Sequence, residues 1–163
     1  MSESNRKFEI REAKTEIELL NCYPVLKILR PHLKYIEEYI ERVNRQQSKG
    51  YRLFYIADSD KVLIVIGFTL RERLLSGKTI YLEDFCALNW TIHEELGPLL
   101  INWIISYAKE SHCDNILTES TFTRHEVHRF YLNHGFKITA HHFSLPLIGK
   151  KVPTTSELKE TTT

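Results

Sequence analysis

The chain has 163 residues, of which 42% are hydrophobic and 26% charged, as in one ordinary soluble domain. Its 22 Lys and Arg residues nearly balance 21 Asp and Glu residues, which argues against binding nucleic acid through a basic surface. The longest apolar run, 62–68, is far shorter than the roughly 20 residues that span a bilayer, and three widely spaced cysteines predict no disulfide framework. We therefore expect a cytoplasmic protein with no membrane or nucleic-acid partner, either an enzyme or a binding module.

The first half of the chain predicts a strand, two helices and two paired strands. Residues 7–11 alternate polar and apolar as in a strand. Apolar spacing predicts a helix over 17–29, interrupted near Pro24, and a second helix after Pro31 that ends at Gly50. Strands 51–57 and 61–70 flank a turn of Asp, Ser, Asp and Lys, and so short a connection makes them antiparallel.

The second half alternates strands and helices. A strand over 79–88 precedes Gly97 and Pro98, which are expected to open a helix over 98–110. Strand 115–119, helix 124–133 and a last strand over 136–145 follow. The order β-α-α-β-β-β-α-β-α-β predicts a mixed α/β sheet covered by helices on both faces. Residues 1–150 are expected to form one domain, and the polar tail 151–163 should fray.

The segment from strand 79–88 into the following helix is a candidate anion site. A helix N-terminus carries free backbone N–H groups and about half a positive charge, which suits a pyrophosphate. Every α/β domain contains such junctions, however, and most bind nothing, so spacing alone leaves both interpretations open.

Several short motifs carry a resemblance to a known family. In chain order they are Leu29-Arg30-Pro31-His32-Leu33, Gly50-Tyr51-Arg52-Leu53, Ile66-Gly67-Phe68, Tyr81-Leu82-Glu83-Asp84-Phe85, Arg124-His125-Glu126-Val127-His128-Arg129-Phe130-Tyr131, Gly135-Phe136 and His142-Phe143. In this order and spacing, the chain resembles the GNAT superfamily of acetyl-CoA-dependent N-acetyltransferases over roughly residues 8–145, and in particular a branch of small bacterial members. The resemblance implies a splayed, mostly antiparallel central sheet with helices on both faces.

The resemblance also implies acetyl-CoA as co-substrate, bound in a V-shaped gap after the fourth strand, and no metal. The pantetheine arm would run beside the strand end formed by Phe85, Cys86, Ala87 and Leu88. The acetyl carbonyl would accept a hydrogen bond from the N–H of about Cys86 or Ala87. That bond strengthens as negative charge develops on the oxygen, which lowers the barrier to attack.

The pyrophosphate-binding loop departs from the family pattern, which has a basic residue or Gln, then Gly, then Gly or Ala. Aligned on Gly97, the basic position is Ile92 and the first glycine is Glu95, so only the last glycine is kept. Glu94 and Glu95 would repel phosphate and weaken coenzyme binding. The same carboxylates also fit a structural role, because acidic side chains just before a helix stabilise its N-terminus.

The resemblance assigns the proton donor for the leaving thiolate to Tyr131, although a packed helix tyrosine is the alternative. Glu83 and Asp84 are candidate bases for the amine, and Glu119 is a third. In a regular strand Glu83 and Asp84 point to opposite faces, so only one should see the substrate gap.

Further coenzyme contacts are expected from residues on both sides of the gap. Positive contacts would come from His93 and Arg124, backbone contacts from Gly97 and Pro98, and a hydroxyl contact from Ser120, which could instead cap the helix at 124. The eight histidines show no metal-binding spacing, so no metal is expected.

Two functions follow. The first is an acetyltransferase that moves the acetyl group of acetyl-CoA to a primary amine of a small molecule or peptide by direct attack in a ternary complex. The second is a binding module of the same fold that has lost coenzyme affinity. Homodimers are common in the family, and the apolar C-terminal strand offers an edge for one.

Overall fold

The computed structural model describes residues 8–147. They fall into two compact units, the first ending at Thr118 and the second starting at Glu119. The predicted tail 151–163 lies outside the described residues. None of the helices in the described part of the chain is long and apolar enough to cross a membrane.

Between residue 8 and Thr118, the first unit contains five strands and three helices. They are β1 (Arg11–Glu12), α1 (Glu16–Leu29), α2 (Ile36–Gln47), β2 (Tyr51–Asp58), β3 (Lys61–Arg73), β4 (Gly77–Ala87), α3 (Trp90–Glu110) and β5 (Asn115–Thr118). The strands form one sheet in the order β1-β2-β3-β4-β5. All neighbours are antiparallel except β4 and β5, which are parallel because α3 connects them. The mixed, mostly antiparallel sheet is therefore confirmed.

Helices cover both faces of this sheet. On one face, α1 and α2 bury apolar side chains against β2, β3 and β4 in a core that contains Leu19, Cys22, Val25, Leu26, Tyr39, Val43, Leu53, Val65 and Cys86. On the other face, the rings of Trp103 and Tyr107 from α3 pack against Phe54 and Phe68. The predicted covering of both faces is confirmed.

Helix α1 passes through Pro24 without the predicted interruption. Thr15 and Glu18 form a reciprocal capping box at its start, which fixes the first turn. Cys22, two residues before Pro24, and Val25, directly after it, are fully buried, and this packing outweighs the hydrogen bond that a proline removes. The helix ends at Leu29, just before the residue that precedes Pro31.

Helix α3 begins at Trp90, so the predicted start at Pro98 is wrong. Asn89 caps the helix, because its side-chain oxygen accepts a hydrogen bond from the Ile92 N–H. Gly97 and Pro98 lie inside the helix. The buried stripe of His93, Leu96, Gly97, Leu100, Ile101, Ile104 and Ala108 continues across the proline. The apolar face of the helix thus outweighs the local preference of Gly-Pro for a helix start.

The second unit contains α4 (His125–Asn133), which confirms the predicted helix within one residue. Gly135 follows with φ of +87°, a conformation that favours glycine after a helix. Residues 136–147 form neither helix nor strand, so the predicted strand 136–145 is wrong. Its apolar alternation is real, but a strand needs a partner to satisfy its backbone, and no described strand pairs with it.

Candidate active site

A β-bulge in β4 organises the site. Gly67 of β3 lies opposite Asp84, while the next residue, Phe68, lies opposite Leu82. Glu83 is therefore an extra residue with no partner in the ladder. Bulges of this kind bend a strand and re-aim its side chains, and they are frequent beside active sites.

The bulge brings both carboxylates to one face of the sheet. Glu83 Oε1 accepts a hydrogen bond from Thr69 Oγ1 at 2.8 Å, and Thr69 lies directly opposite Tyr51. Tyr51 in turn donates its hydroxyl to Asp84 Oδ2 at 2.7 Å. Because directly opposed residues share a face of a sheet, the expectation that Glu83 and Asp84 point to opposite faces is wrong. The extra residue breaks the strict alternation.

Asp84 is buried and bonded through both oxygens. Arg30 donates Nε to Asp84 Oδ1 at 3.0 Å and Nη2 to the Glu83 carbonyl at 2.6 Å. Tyr51 occupies the other oxygen. Burial raises the pKa of Tyr51 well above its ordinary value, and the negative charge of Asp84 adds to that shift. Tyr51 therefore keeps its proton and remains a donor to Asp84 at physiological pH.

Glu83 is held less completely than Asp84. Its Oε1 accepts from Thr69 and, at 2.7 Å, from Arg71 Nη2. Its second oxygen, Oε2, accepts no hydrogen bond from the residues that the structure describes. Glu83 is also partly exposed, whereas Asp84 is buried. Of the two carboxylates, Glu83 has the freer oxygen.

A cavity of about 190 Å³ opens onto these carboxylates. Its walls are α1, α2 and the segment between them on one side, and β2 and β4 on the other. The apolar part of the lining comes from Leu26, Leu33, Tyr39, Val43 and Tyr51, and the polar part from Arg30, His32, Arg42, Gln46, Glu83 and Asp84. The cavity can hold a small polar molecule between an apolar wall and a carboxylate.

Beyond the bulge, one edge of β4 has no partner strand among the described residues. Strand β5 pairs with β4 only over Thr79–Leu82. On the other edge, the Leu88 N–H donates to the Leu63 carbonyl of β3 at 2.9 Å. Because amides alternate between the two edges of an antiparallel pair, the Cys86 N–H also faces β3, and the N–H groups of Phe85 and Ala87 face the open edge.

The open edge leads directly into the N-terminus of α3. Only Leu88 and Asn89 separate β4 from the helix. Asn89 occupies the Ile92 N–H, which leaves the N–H groups of Trp90 and Thr91 without an intrahelical acceptor. The first turn contains no acidic residue. These amides and the helix dipole make the junction electropositive.

Glu94 and Glu95 are exposed and lie beyond the first turn of α3, so they do not stand before the helix as the structural interpretation supposed. The predicted contact residue His93 is buried. Its ring stacks on Trp90, with centroids 4.7 Å apart, and lies 5.1 Å from the Phe85 ring. His93 therefore packs the start of the helix against β4.

The second unit carries the remaining predicted residues. Tyr131 is buried on α4, with its ring 5.1 Å from that of Phe136. Arg124 stands at the N-cap of α4 and makes no side-chain cap bond. The Ser120 hydroxyl is buried with no hydrogen-bond partner among the described residues, and it does not cap α4. A buried hydroxyl in this state is available to a ligand.

In the described part of the chain, no group of three or more His, Cys, Asp or Glu side chains could hold a metal ion. The histidines contact other groups instead: His128 Nε2 lies 2.8 Å from the Thr121 carbonyl, and His142 Nδ1 lies 2.8 Å from Glu119. Glu119, a third candidate base from the sequence, is thus beside a histidine within its own unit.

Three known proteins resemble the chain over most of its length. A curated relative from Bacillus subtilis (strain 168), the uncharacterized N-acetyltransferase YhdJ, is 23% identical over 140 residues, covering 85% of this chain and 98% of the relative. A transcriptional regulator from Bacillus halodurans C-125 superimposes with a TM-score of 0.74 and 21% identity, covering 86% of this chain and 99% of that one. No protein-family model matches the chain.

The third is AAC(6')-Iy, solved in complex with the bisubstrate analogue CoA-S-monomethyl-acetylneamine. It superimposes with a TM-score of 0.72 and 13% identity, covering 86% of this chain and 97% of that one. These comparisons support the resemblance drawn from the sequence, and they show that the chain has the fold of these proteins.

Proposed function

We propose that the chain transfers the acetyl group of acetyl-CoA to a primary amine by direct attack in a ternary complex. The observation that carries this proposal is the placement of the open edge of β4. The N–H groups of Phe85 and Ala87 on that edge lie between an electropositive helix start and a cavity that opens onto two carboxylates. One strand thus supplies groups for the donor and groups for the acceptor.

The donor fits the described residues. The Ala87 or Phe85 N–H would donate to the acetyl carbonyl, and this hydrogen bond would strengthen as the oxygen gains negative charge. The N–H groups of Trp90 and Thr91 would face the pyrophosphate. We place the pyrophosphate there rather than at Gly97 and Pro98, because those two residues lie inside α3. Ser120 and Arg124 remain proposed coenzyme contacts from the resemblance.

The reaction needs three transfers. The amine nitrogen attacks the thioester carbonyl carbon, the C–S bond breaks, and the coenzyme A thiolate leaves. Tyr131 is our proposed donor of the proton that the thiolate takes up, on the strength of the resemblance. The amine must lose a proton to become a nucleophile, and we assign its acceptance to Glu83 through a water molecule, since Glu83 Oε2 is the freer carboxylate oxygen.

The acceptor amine would enter the cavity between α1, α2 and β4. Its volume, about 190 Å³, suits a small amine or the end of a side chain. The apolar wall formed by Leu33 and Val43 would hold a methylene chain, and the carboxylate side would face the amine. A peptide acceptor would insert one lysine side chain or its N-terminal residue.

Calorimetric titration with acetyl-CoA, followed by mass-spectrometric detection of acetylated product from a panel of small amines and peptides, tests the proposal. We expect micromolar binding and amine-dependent release of coenzyme A. The Glu83→Gln variant should bind acetyl-CoA like the wild type but lose about 10²-fold or more in kcat. Glu72→Gln, an exposed carboxylate on the same hairpin, is the matched control and should retain activity.

A binding module is the second candidate, because the loop lacks a basic residue at Ile92 and carries Glu94 and Glu95. No heat and no thermal shift at millimolar acetyl-CoA would establish this candidate and overturn the first. The double variant Glu94→Gln/Glu95→Gln tests whether these two carboxylates weaken the binding of acetyl-CoA. Since both side chains are exposed beyond the first turn, we expect it to change the acetyl-CoA affinity by less than about threefold.

A further inference from the structure

We propose that Arg30 and Tyr51 are positioning residues that clamp the bulge in β4 and thereby decide which amides face its open edge. Their meaning for catalysis rests on the proposed function. The clamp itself is a set of contacts within the first unit, among the end of α1, the start of β2 and the middle of β4.

Arg30 grips two consecutive residues of the bulge. Its Nη2 donates to the carbonyl of Glu83, the residue that has no partner in the ladder, and its Nε donates to the carboxylate of Asp84. A guanidinium is planar and rigid, so one fork holding both groups fixes the peptide between them. Helix α1 ends at Leu29, so Arg30 lies between the helix and Pro31, and its side chain reaches β4 from there.

Tyr51 holds the same carboxylate from the opposite side. Its hydroxyl donates to Asp84 Oδ2, and its ring crosses β3 at Gly67. A Cβ at Gly67 would overlap the Tyr51 hydroxyl, so the clamp closes only because position 67 has no side chain. Arg30, Tyr51 and Gly67 are thus three separate parts of the sequence that act on one carboxylate.

The clamp matters because a bulge can move. If Glu83 re-entered the ladder, the second half of β4 would slip by one residue, and a one-residue slip turns every side chain and every amide to the opposite side. The Cys86 N–H would then face the open edge in place of the N–H groups of Phe85 and Ala87. Without Arg30, the Glu83 carbonyl loses the bond that favours the bulged register.

Amide hydrogen exchange and ¹⁵N-resolved NMR spectra of the protein without ligand test the clamp. In Arg30→Gln and in Tyr51→Phe, we expect resonance shifts at Phe85, Cys86 and Ala87, and an increase of about tenfold or more in the exchange rate of the Cys86 amide. Arg30→Lys keeps the charge but not the fork, so it should resemble Arg30→Gln.

The matched controls have the same chemistry elsewhere in the unit. Arg52→Gln removes an arginine fork of similar exposure, 37% against 40% for Arg30. Tyr55→Phe removes the hydroxyl of another buried tyrosine of β2, which donates to the Glu18 carboxylate. Neither control should change the resonances or exchange of residues 85–87. Wild-type exchange at Cys86 in both Arg30→Gln and Tyr51→Phe would overturn the clamp.

Titration with acetyl-CoA tests whether the clamp also affects the binding of the coenzyme. We expect the two clamp variants to bind about tenfold more weakly and the two controls to bind within about twofold of the wild type. If the wild type does not bind acetyl-CoA, the proposed function fails, and the exchange measurement still decides the clamp. If Arg30→Gln does not fold, Tyr51→Phe, which removes a single oxygen, carries the test. Unchanged affinity together with changed exchange would deny the clamp its part in binding.

Discussion

Two arginine–carboxylate pairs in the first unit have similar geometry and different surroundings. Arg52 closes its fork on both oxygens of Glu12, at 2.8 and 3.1 Å. Arg30 divides its fork between Asp84, at 3.0 Å, and the Glu83 carbonyl, at 2.6 Å. The two arginines are almost equally exposed. Distance and burial alone would therefore not tell one pair from the other.

The two pairs differ in the groups that surround them. The Arg52 guanidinium lies 4.9 Å from the centre of the Phe54 ring and 5.4 Å from that of Tyr107, so aromatic rings cover it. The Arg30 pair lines a cavity and holds a bulged backbone. The Arg52 pair, whose fork closes on one carboxylate and whose Nη1 donates to the Tyr107 hydroxyl, stabilises the fold. The Arg30 pair also fixes a local conformation, because one of its donors binds the carbonyl of a bulged residue.

The largest loss of stability is expected from a substitution at Gly67, because it disrupts the contacts of Asp84. In Gly67→Ala, the new methyl group overlaps the Tyr51 hydroxyl and separates it from Asp84. Overpacking and a lost bond to a buried carboxylate should lower the free energy of unfolding by about 2 to 3 kcal/mol. Urea denaturation at pH 7 measures this change.

A double-mutant cycle with Tyr51→Phe shows whether the cause is the proposed overlap. Removing the hydroxyl relieves part of the clash, so the two losses should fall short of adding by about 1 kcal/mol. Fully additive losses would mean that the methyl group at position 67 acts elsewhere than on Tyr51.

The variant Arg52→Ala tests the contribution of the Arg52–Glu12 pair to stability. The variant loses the fork and the ring contacts, and because Arg52 is partly exposed we expect a loss of about 1 to 2 kcal/mol. The acetyl-CoA affinity of the folded protein should stay within about twofold of the wild type, since Arg52 touches neither the bulge nor the cavity. A tenfold loss of affinity would erase the distinction between the two pairs.

The fold was largely predictable from the sequence because its signals are local. Period-2 and helical apolar patterns, the turn at 58–61 and Pro31 predicted α1, α2 and β2 to β5 close to their observed bounds. The first strand, predicted over 7–11, is observed at Arg11–Glu12. The start of α3 was missed because Gly97-Pro98 outweighed a weaker signal, Asn89 ahead of a buried stripe. The final strand was mispredicted because alternation does not tell whether a partner strand exists.

The candidate site was predicted as a set of residues but not in its geometry. The sequence named Glu83, Asp84 and the strand end at 85–88 as candidates, but it did not predict that the two carboxylates share a face. A bulge arises when one strand has an extra residue relative to its partner strand. Its position depends on how the two strands pair, and nothing in the local sequence indicates it. Arg30 lay in a quoted motif, yet its role depends on a partner 54 residues away. Such a contact is a property of the folded chain.

A third prediction concerns how the contribution of the Arg52–Glu12 pair to stability depends on pH. The hydrogen bond from Arg52 is the main cause that lowers the pKa of Glu12 below its ordinary value. A lowered pKa means that the ionised form is stabilised in the folded state, so its contribution is present at neutral pH and is lost as pH falls through the folded-state pKa. Glu12→Gln should therefore cost about 1 kcal/mol at pH 7 and progressively less as the pH falls below 4.5, the ordinary pKa of a glutamate. Denaturation curves of both proteins across this range measure the difference. A gap that stays constant down to pH 3 would show that Glu12 acts through packing.

The smallest effect is expected from a third arginine pair, which sets the baseline. Arg45 and Glu41 lie one helical turn apart on α2, 3.8 Å from each other and exposed by 65% and 73%. Water solvates both groups, so Arg45→Ala should change the free energy of unfolding by only about 0.3 kcal/mol. High salt should leave the variant and the wild type equally stable, because screening removes what little attraction remains. A loss as large as that of Arg52→Ala would mean that arginines stabilise this protein through their charge, whatever groups surround them. The difference between the Arg52 and Arg30 pairs could then not be explained by their surroundings.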